Sequence, residues 1–135
     1  MKIHAVRFSS GQDLRKEIEA FFQEKNIKAG IILTCVGSLK KAVLRMAGAK
    51  ADRQVVNKYA GPLEIVSLVG TLGEGGMHLH GSFSNEAGGV VGGHIKEGCI
   101  VETTAELVIG EPEDVVFKRD LDANTGFDEL NIENK

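Results

Sequence analysis

The residues best suited to chemistry lie in a glycine-rich stretch beyond the middle of the chain. From Gly73 to Gly98, nine of 26 residues are glycine, and three of the four histidines, His78, His80 and His94, fall within it. In a β-strand, His78 and His80 point to the same face, about 6.5–7 Å apart. If residues 90–95 return beside them as a hairpin, His94 reaches that face as well. Glycine is unfavourable inside strands, and there it often marks the close approach of another backbone or a ligand.

Three neutral imidazoles around an open position are a familiar way to hold zinc or another divalent ion. The fourth position is then taken by water, whose pKa the metal lowers toward ~7. We therefore predict that His78, His80 and His94 are metal ligands. Glutamates that hydrogen-bond the ligands or act as general bases are expected among Glu86, Glu102 and Glu106. The alternative is that the histidines hydrogen-bond to backbone at a glycine-lined interface, and His4, on another strand, is expected to be structural.

The sequence lacks the signatures of several other catalytic sites. In cupins three or four residues separate an H-x-H pair from a glutamate, whereas five separate His80 from Glu86, one too many, and nothing after Pro112 supplies the second cupin motif. No G-x-S-x-G elbow and no phosphate-binding loop with Gly-Lys-Ser/Thr occur. An enzyme hypothesis, a metal-dependent activity of unassigned substrate, therefore depends on the three histidines alone.

Length and composition are those of one folded domain. The chain has 135 residues, 42% of them hydrophobic and 26% charged, which excludes disorder as its main state. No apolar run approaches the ~18–20 residues of a membrane span, and the N-terminus is too short and mixed for a signal peptide. The two cysteines, Cys35 and Cys99, lie in apolar segments and are predicted to be buried thiols. These features favour a cytoplasmic protein.

The net charge of −3 hides an uneven distribution of charged residues along the chain. Residues 1–60 hold twelve Lys/Arg against five Asp/Glu, whereas residues 102–135 hold three against ten. Blocks of opposite sign can steer the subunits of an oligomer toward each other. The alternative is two solvated faces with no role in assembly.

The elements that would position the histidines are mostly strands. An opening strand is followed by one amphipathic helix over residues 12–26, with Leu14, Ile18, Phe21 and Phe22 on one face. The remaining apolar segments predict strands over residues 29–36, 42–47, 55–59, 63–72, 77–83, 90–95, 100–109 and 115–118. This order indicates an α+β fold, a largely antiparallel or mixed sheet with one main helix packed on it. We expect the domain to span residues 2–121, and the acidic residues 122–135 to form a loose tail or a short edge strand.

Several motifs in these elements resemble the PPC domain, a family conserved in plants and prokaryotes. They are Gly76-Met77-His78-Leu79-His80-Gly81-Ser82, Gly92-Gly93-His94, Gly98-Cys99, residues 103–109 and Val36-Gly37-Ser38-Leu39. The resemblance spans roughly residues 2–119. It implies an α+β domain that assembles as a homotrimer, and prokaryotic members are commonly described as predicted DNA-binding proteins of undefined biochemical role.

Two features of the plant proteins are missing from this chain. Those proteins bind DNA through an AT-hook, an Arg-Gly-Arg core flanked by prolines, but the five arginines here are scattered. They also carry a Gly-Arg-Phe-Glu-Ile-Leu hexamer linked to partner binding, and the matching stretch here, residues 61–66, lacks its Arg and Phe. The plant mode of DNA binding and of partner recruitment is therefore not implied.

DNA binding by the domain itself would need clustered basic residues, which supply most non-specific affinity. The best cluster comprises Lys40, Lys41, Arg45, Lys50, Arg53 and Lys58. The same surface could instead meet the acidic segment of a neighbouring subunit. The sequence as a whole predicts a trimeric ligand- or metal-binding module, with a three-histidine enzyme and a DNA-binding regulatory protein as the alternatives.

Overall fold

The computed structural model describes all residues, 1–135, and arranges them around one curved antiparallel sheet. Its elements are β1 (Lys2–Ser9), α1 (Leu14–Glu24), β2 (Ala29–Arg45), β3 (Val56–Gly73), β4 (Gly76–Ser84), β5 (Val90–Ile95), β6 (Ile100–Glu111), β7 (Val115–Leu121) and β8 (Asp128–Asn134). Six strands pair in the order β1-β6-β2-β3-β4-β5, and all of these pairings are antiparallel. The predicted α+β fold is confirmed, with an antiparallel rather than mixed sheet.

The sheet curls so that its last strand meets its middle strand. Besides pairing with β4, β5 pairs with the end of β2, where Leu44 lies opposite Ile95 and Arg45 lies opposite His94. Gly93 permits this approach, because a Cβ atom there would come within 2.7 Å of the Arg45 carbonyl oxygen. The curl brings residues of β2 to the glycine-rich hairpin of β4 and β5.

The helix is shorter than its apolar periodicity predicts, by two residues at each end. It begins at Leu14 because Asp13 caps it: the Asp13 carboxylate accepts a hydrogen bond from the backbone N–H of Lys16 at 3.2 Å. The second carboxylate oxygen of Asp13 accepts from the backbone N–H of Gly98 at 2.7 Å, which ties the helix to the loop after β5. Leu14, Ile18 and Phe22 of the helix are buried in the core.

Two long strands replace four short predicted ones. β2 covers the segment predicted at 29–36 and all but the last two residues of 42–47, and β3 covers 63–72 and all but the first residue of 55–59. The glycines between these segments do not make turns. A Cβ atom at Gly37 would collide with the backbone of Thr104 and Ala105, and one at Gly61 with the backbone of Leu39 and Lys40. They mark close contacts between strands, and the register shifts nearby, by one residue between β2 and β3 and by two between β2 and β6.

The core lies between the helix and the concave side of the sheet. Its fully buried members include Leu14, Ile18, Leu39, Leu44 and Phe83. Both cysteines are buried and unpaired, as predicted. No helix of the chain is long and apolar enough to cross a membrane.

The acidic C-terminal segment, expected to be a loose tail or a short edge strand, contains the strand β8. β8 pairs along the whole of β7 in a separate two-stranded sheet, so this pairing crosses the predicted domain boundary at residue 121. The hairpin is fastened to the main sheet through Phe117, whose N–H donates to the Lys28 carbonyl at 3.0 Å and whose carbonyl accepts from Glu74 N–H at 2.7 Å. Gly73 leaves room for the Phe117 backbone.

Candidate metal centre

The three histidines of the glycine-rich stretch converge on one point of the sheet. His78 and His80 extend from the same face of β4, and His80 lies directly opposite His94 of β5. The candidate ligand nitrogens all lie within 4.8 Å of one another, and the ring centroids are 4.8, 5.1 and 5.6 Å apart. The predicted i, i+2 pair and hairpin return thus bring the imidazoles together. The cluster lies at the protein surface, where His80 is exposed and the other two histidines are partly buried.

The protein environment keeps two of these imidazoles neutral. Burial, aided by the positive charge of Arg45, lowers the pKa of His94 to about 3. Burial and the neighbouring His80 also lower the pKa of His78 below its usual value. Neutral imidazole is the form that ligates a metal ion.

The hydrogen bonding of the cluster is incomplete in a way that suits a metal ion. The Nε2 atoms of His78 and His80 lie 3.1 Å apart, so one ring donates to the other. His94 Nδ1 is buried and has no hydrogen-bond partner. A buried polar nitrogen without a partner calls for a bound ion or water. Three imidazole nitrogens within 4.8 Å of one another, with a buried ring nitrogen left without a partner, are a donor set that fits a divalent ion.

Two cavities are lined by both His78 and His94. The smaller one, of about 260 Å³, is also lined by side chains from α1, β2, β7 and the start of β8. The second, of about 500 Å³, is lined by all three histidines, by Gly92 and Gly93, and by residues 45–49. The candidate site is therefore accessible to small molecules.

The sequence did not point to the charged residues that line the smaller cavity from distant elements. Arg15 and Arg119 line it together with Phe127, Asp128 and Glu129. Arg45, predicted as part of the basic cluster, also lines this cavity, because the β2–β5 pairing places it opposite His94. Nothing local in the sequence signals these residues, because they come from four elements that meet only in the folded protein.

The predicted glutamates lie elsewhere. Glu86 is in the turn after β4 and lines a separate cavity with Gly61 and Pro62. Glu102 and Glu106 are exposed on β6, which pairs with β1 and β2 rather than with the histidine strands. None of the three hydrogen-bonds to an imidazole of the cluster. The carboxylate that acts on His78 is instead that of Glu129, whose charge opposes the lowering of the His78 pKa.

The other members of the basic cluster lie on the β2–β3 hairpin. Lys40 and Lys41 are exposed on β2, Lys58 is exposed on β3, and Lys50 and Arg53 pair with each other in the connection between the strands. DNA binding through this surface stays a prediction.

His4 has the structural role expected of it. Its Nε2 lies 2.8 Å from the Glu111 carboxylate, and both side chains are largely buried. The ring also packs edge-on against Phe21, with the centroids 6.5 Å apart. His4 thus joins β1 to the end of β6 and to the helix.

The sequence between residues 1 and 113 matches the model of the Plants and Prokaryotes Conserved (PCC) domain. The chain belongs to this family. The match covers the histidine cluster and ends before β7, so the C-terminal hairpin lies outside it. The PPC resemblance of the histidine–glycine motifs is confirmed.

Similar proteins are known from sequence and from structure. The bifunctional protein GlmU of Synechococcus sp. (strain JA-3-3Ab) is 38% identical over 133 residues, which are 98% of this PCC chain and only 21% of GlmU. The chain thus spans about a fifth of that relative. A hypothetical protein from Salmonella shares 39% identity with a TM-score of 0.92, over 99% of this chain and 94% of the other. A metal-containing protein from Archaeoglobus fulgidus shares 27% identity with a TM-score of 0.80, over 97% and 94%.

Proposed function

We propose that this PCC-domain protein is a metal-binding module in which His78, His80 and His94 hold one divalent ion, zinc by preference. The observation that carries the proposal is the convergence of three imidazoles, two of them kept neutral, within 4.8 Å at the mouth of two cavities. The metal-containing character of the Archaeoglobus relative, which has the same fold, is consistent with it. Imidazole ligands suit zinc among the common divalent ions.

Three protein ligands leave a coordination position free for a water molecule or a small anion. A bound zinc ion would supply Lewis acidity at that position. The chain's own residues would orient the imidazoles, through the β4–β5 pairing, and supply charged groups from the cavity wall. Because the glutamates predicted as general bases do not contact the cluster, we favour a binding module over an enzyme.

We further propose that the module is a homotrimer and works in the cytoplasm. Self-association is supported by exposed apolar side chains on β2 and β3, namely Leu33, Val36, Val66 and Val69, which are 47–58% exposed. Burying such a surface against other copies is favourable. The two unpaired buried thiols suit a reducing compartment.

Zinc titration calorimetry on protein stripped of metal, together with metal analysis of protein purified without chelator, tests the metal site. We expect one ion per chain in the wild type. His80→Ala, an exposed position, should weaken zinc binding by more than the ~10–100-fold that loss of an outer hydrogen-bond partner costs.

His4→Ala is the matched control, because it removes a histidine that is committed to Glu111. It should leave zinc affinity unchanged, with folding of each variant checked by circular dichroism. Unchanged zinc affinity in His80→Ala, or no zinc binding by the wild type, would overturn the proposal.

A further inference from the structure

The smaller cavity is lined by two imidazoles and by an arginine whose guanidinium forms no hydrogen bond within the chain. The Arg45 guanidinium stacks over the Phe127 ring, 5.2 Å from its centroid, and forms no hydrogen bond or salt bridge within the chain. It is only partly exposed and lies opposite His94 on the neighbouring strand. A partly buried guanidinium normally finds partners for its five donors, and its planar fork matches the geometry of an oxyanion.

The two other arginines of this cavity differ in how many of their donor groups form hydrogen bonds. Arg15 donates to the backbone carbonyls of Ile95 at 3.2 Å and Met77 at 3.4 Å, so it fixes the strands around the site. Arg119 uses one terminal nitrogen for Thr71, with 2.6 Å to Oγ1 and 3.4 Å to the carbonyl. Its remaining donors form no hydrogen bond within the chain. Arg45 and Arg119 are therefore the groups with free donors near the imidazoles.

The charges and apolar residues of the cavity wall favour an organic anion. Three arginines outnumber the carboxylates of Asp128 and Glu129, so the cavity attracts negative charge, and a metal ion would add to this. Because Met77 and Phe127 also line the cavity, an organic anion can place its carbon chain against apolar surface, which inorganic phosphate cannot do. The volume of about 260 Å³ admits a small organic anion.

We infer that this cavity binds a small organic monocarboxylate, with Arg45 and Arg119 clamping the carboxylate next to the metal's free position and Phe127 covering its carbon chain. The inference deepens the proposed metal site and depends on it. Arg119 and Phe127 belong to the C-terminal segment outside the matched family region. The hairpin of β7 and β8 thus supplies part of the pocket wall from outside the matched family region.

Cobalt(II)-loaded protein provides the test, because the visible spectrum of cobalt reports both metal binding and entry of an anion into its coordination sphere. The probe is propionate, titrated into the cobalt protein, with inorganic phosphate as the second arm. We expect a saturable spectral change with propionate, at lower concentration than with phosphate. Arg45→Gln and Arg119→Gln should bind cobalt as the wild type does and weaken propionate binding by about tenfold or more each, as expected for losing hydrogen bonds to a charged group.

The control is Arg53→Gln, which removes an exposed arginine of the β2–β3 connection and should change neither affinity. Cobalt binding without any propionate effect would overturn this inference while leaving the metal site standing. Tighter binding of phosphate, or equal weakening by Arg53→Gln, would also overturn it. Failure to bind cobalt at all would instead count against the proposed metal site.

Discussion

At the scale of single residues, glycines decide where other groups of the site can go. Gly93 lets β5 approach β2, and this contact brings Arg45 beside His94. Any larger side chain at Gly93 would press on the Arg45 carbonyl and the Met46 side chain. The many glycines of the stretch thus include positions where a backbone, rather than a ligand, approaches closely. The ligand-binding space lies beside them, between the imidazoles and the arginines.

The two thiols provide a prediction at the same scale. Burial, with a smaller contribution from Glu106, raises the pKa of Cys35 to about 11, and burial also raises the pKa of Cys99. Because the thiolate is the reactive form, neither cysteine should be alkylated by iodoacetamide in the folded protein at pH 8, whereas both should react in denaturant. Mass spectrometry counts the labels, and rapid labelling of the native protein would contradict the prediction.

The raised pKa of Cys35 also makes the stability of the fold depend on pH. A group whose pKa is higher in the folded than in the unfolded state favours folding while it is protonated. The contribution of Cys35 should therefore be complete below pH 9.0, the unfolded value, and be lost as the pH rises through about 11.

At the scale of elements, the C-terminal hairpin supplies one side of the cavity beside the histidine cluster. β7 and β8 make no pairing with the main sheet and are held by the backbone hydrogen bonds of Phe117 and by the hydrogen bond of Arg119 to Thr71. Few contacts of this kind allow an element to open locally at low free-energy cost. We therefore expect its amides to exchange hydrogen faster than those of the main sheet.

Gly73→Ala tests how the hairpin is seated. A Cβ atom at this position would collide with the backbone and Cβ of Phe117, so the substitution should lower the free energy of unfolding by about 1–3 kcal/mol, as for overpacking. Urea denaturation measures this loss, and hydrogen exchange should show faster exchange at the Phe117 amide. In the control, Gly110→Ala, the nearest atom is the flexible sulfur of Met1, and a smaller effect is expected. Equal stability of Gly73→Ala and wild type would show that the hairpin is not seated as described.

At the scale of the whole molecule, one chain by itself exposes apolar side chains and segments of opposite charge. Leu33, Val36, Val66 and Val69 are exposed on β2 and β3, away from the core. The basic residues 1–60 and acidic residues 102–135 provide surfaces of opposite sign that suit a contact between different faces of identical subunits. Such a head-to-tail contact forms a ring when the rotation between subunits closes.

We predict a homotrimer on these grounds and on the family resemblance. Light scattering of the wild type should give three times the 14.5 kDa chain mass across micromolar concentrations. Val36→Glu should shift the mass toward the monomer because it places a charge in the apolar surface. Ala20→Glu, on the exposed side of the helix, should leave the mass unchanged. A stable monomer mass for the wild type would disprove the trimer.

Much of the site follows from patterns that are local in the sequence. The spacing of His78 and His80 places both on one strand face, and the short connection to residues 90–95 returns His94 to them. The apolar periodicity of the helix and the apolar surroundings of the cysteines likewise predict what is buried. These inferences succeed because they depend only on the period of a strand or helix and on a hairpin between neighbours.

Other features of the site were decided by tertiary structure alone. The merging of predicted strands into β2 and β3 depends on which strand lies opposite each glycine. The pairing of β5 with the end of β2 places Arg45, a member of the predicted basic cluster, on the cavity wall. The docking of β7 and β8 sets Arg119 and Glu129 on the cavity wall. Register and sheet curvature arise from contacts between residues far apart in the chain, and no local period encodes them.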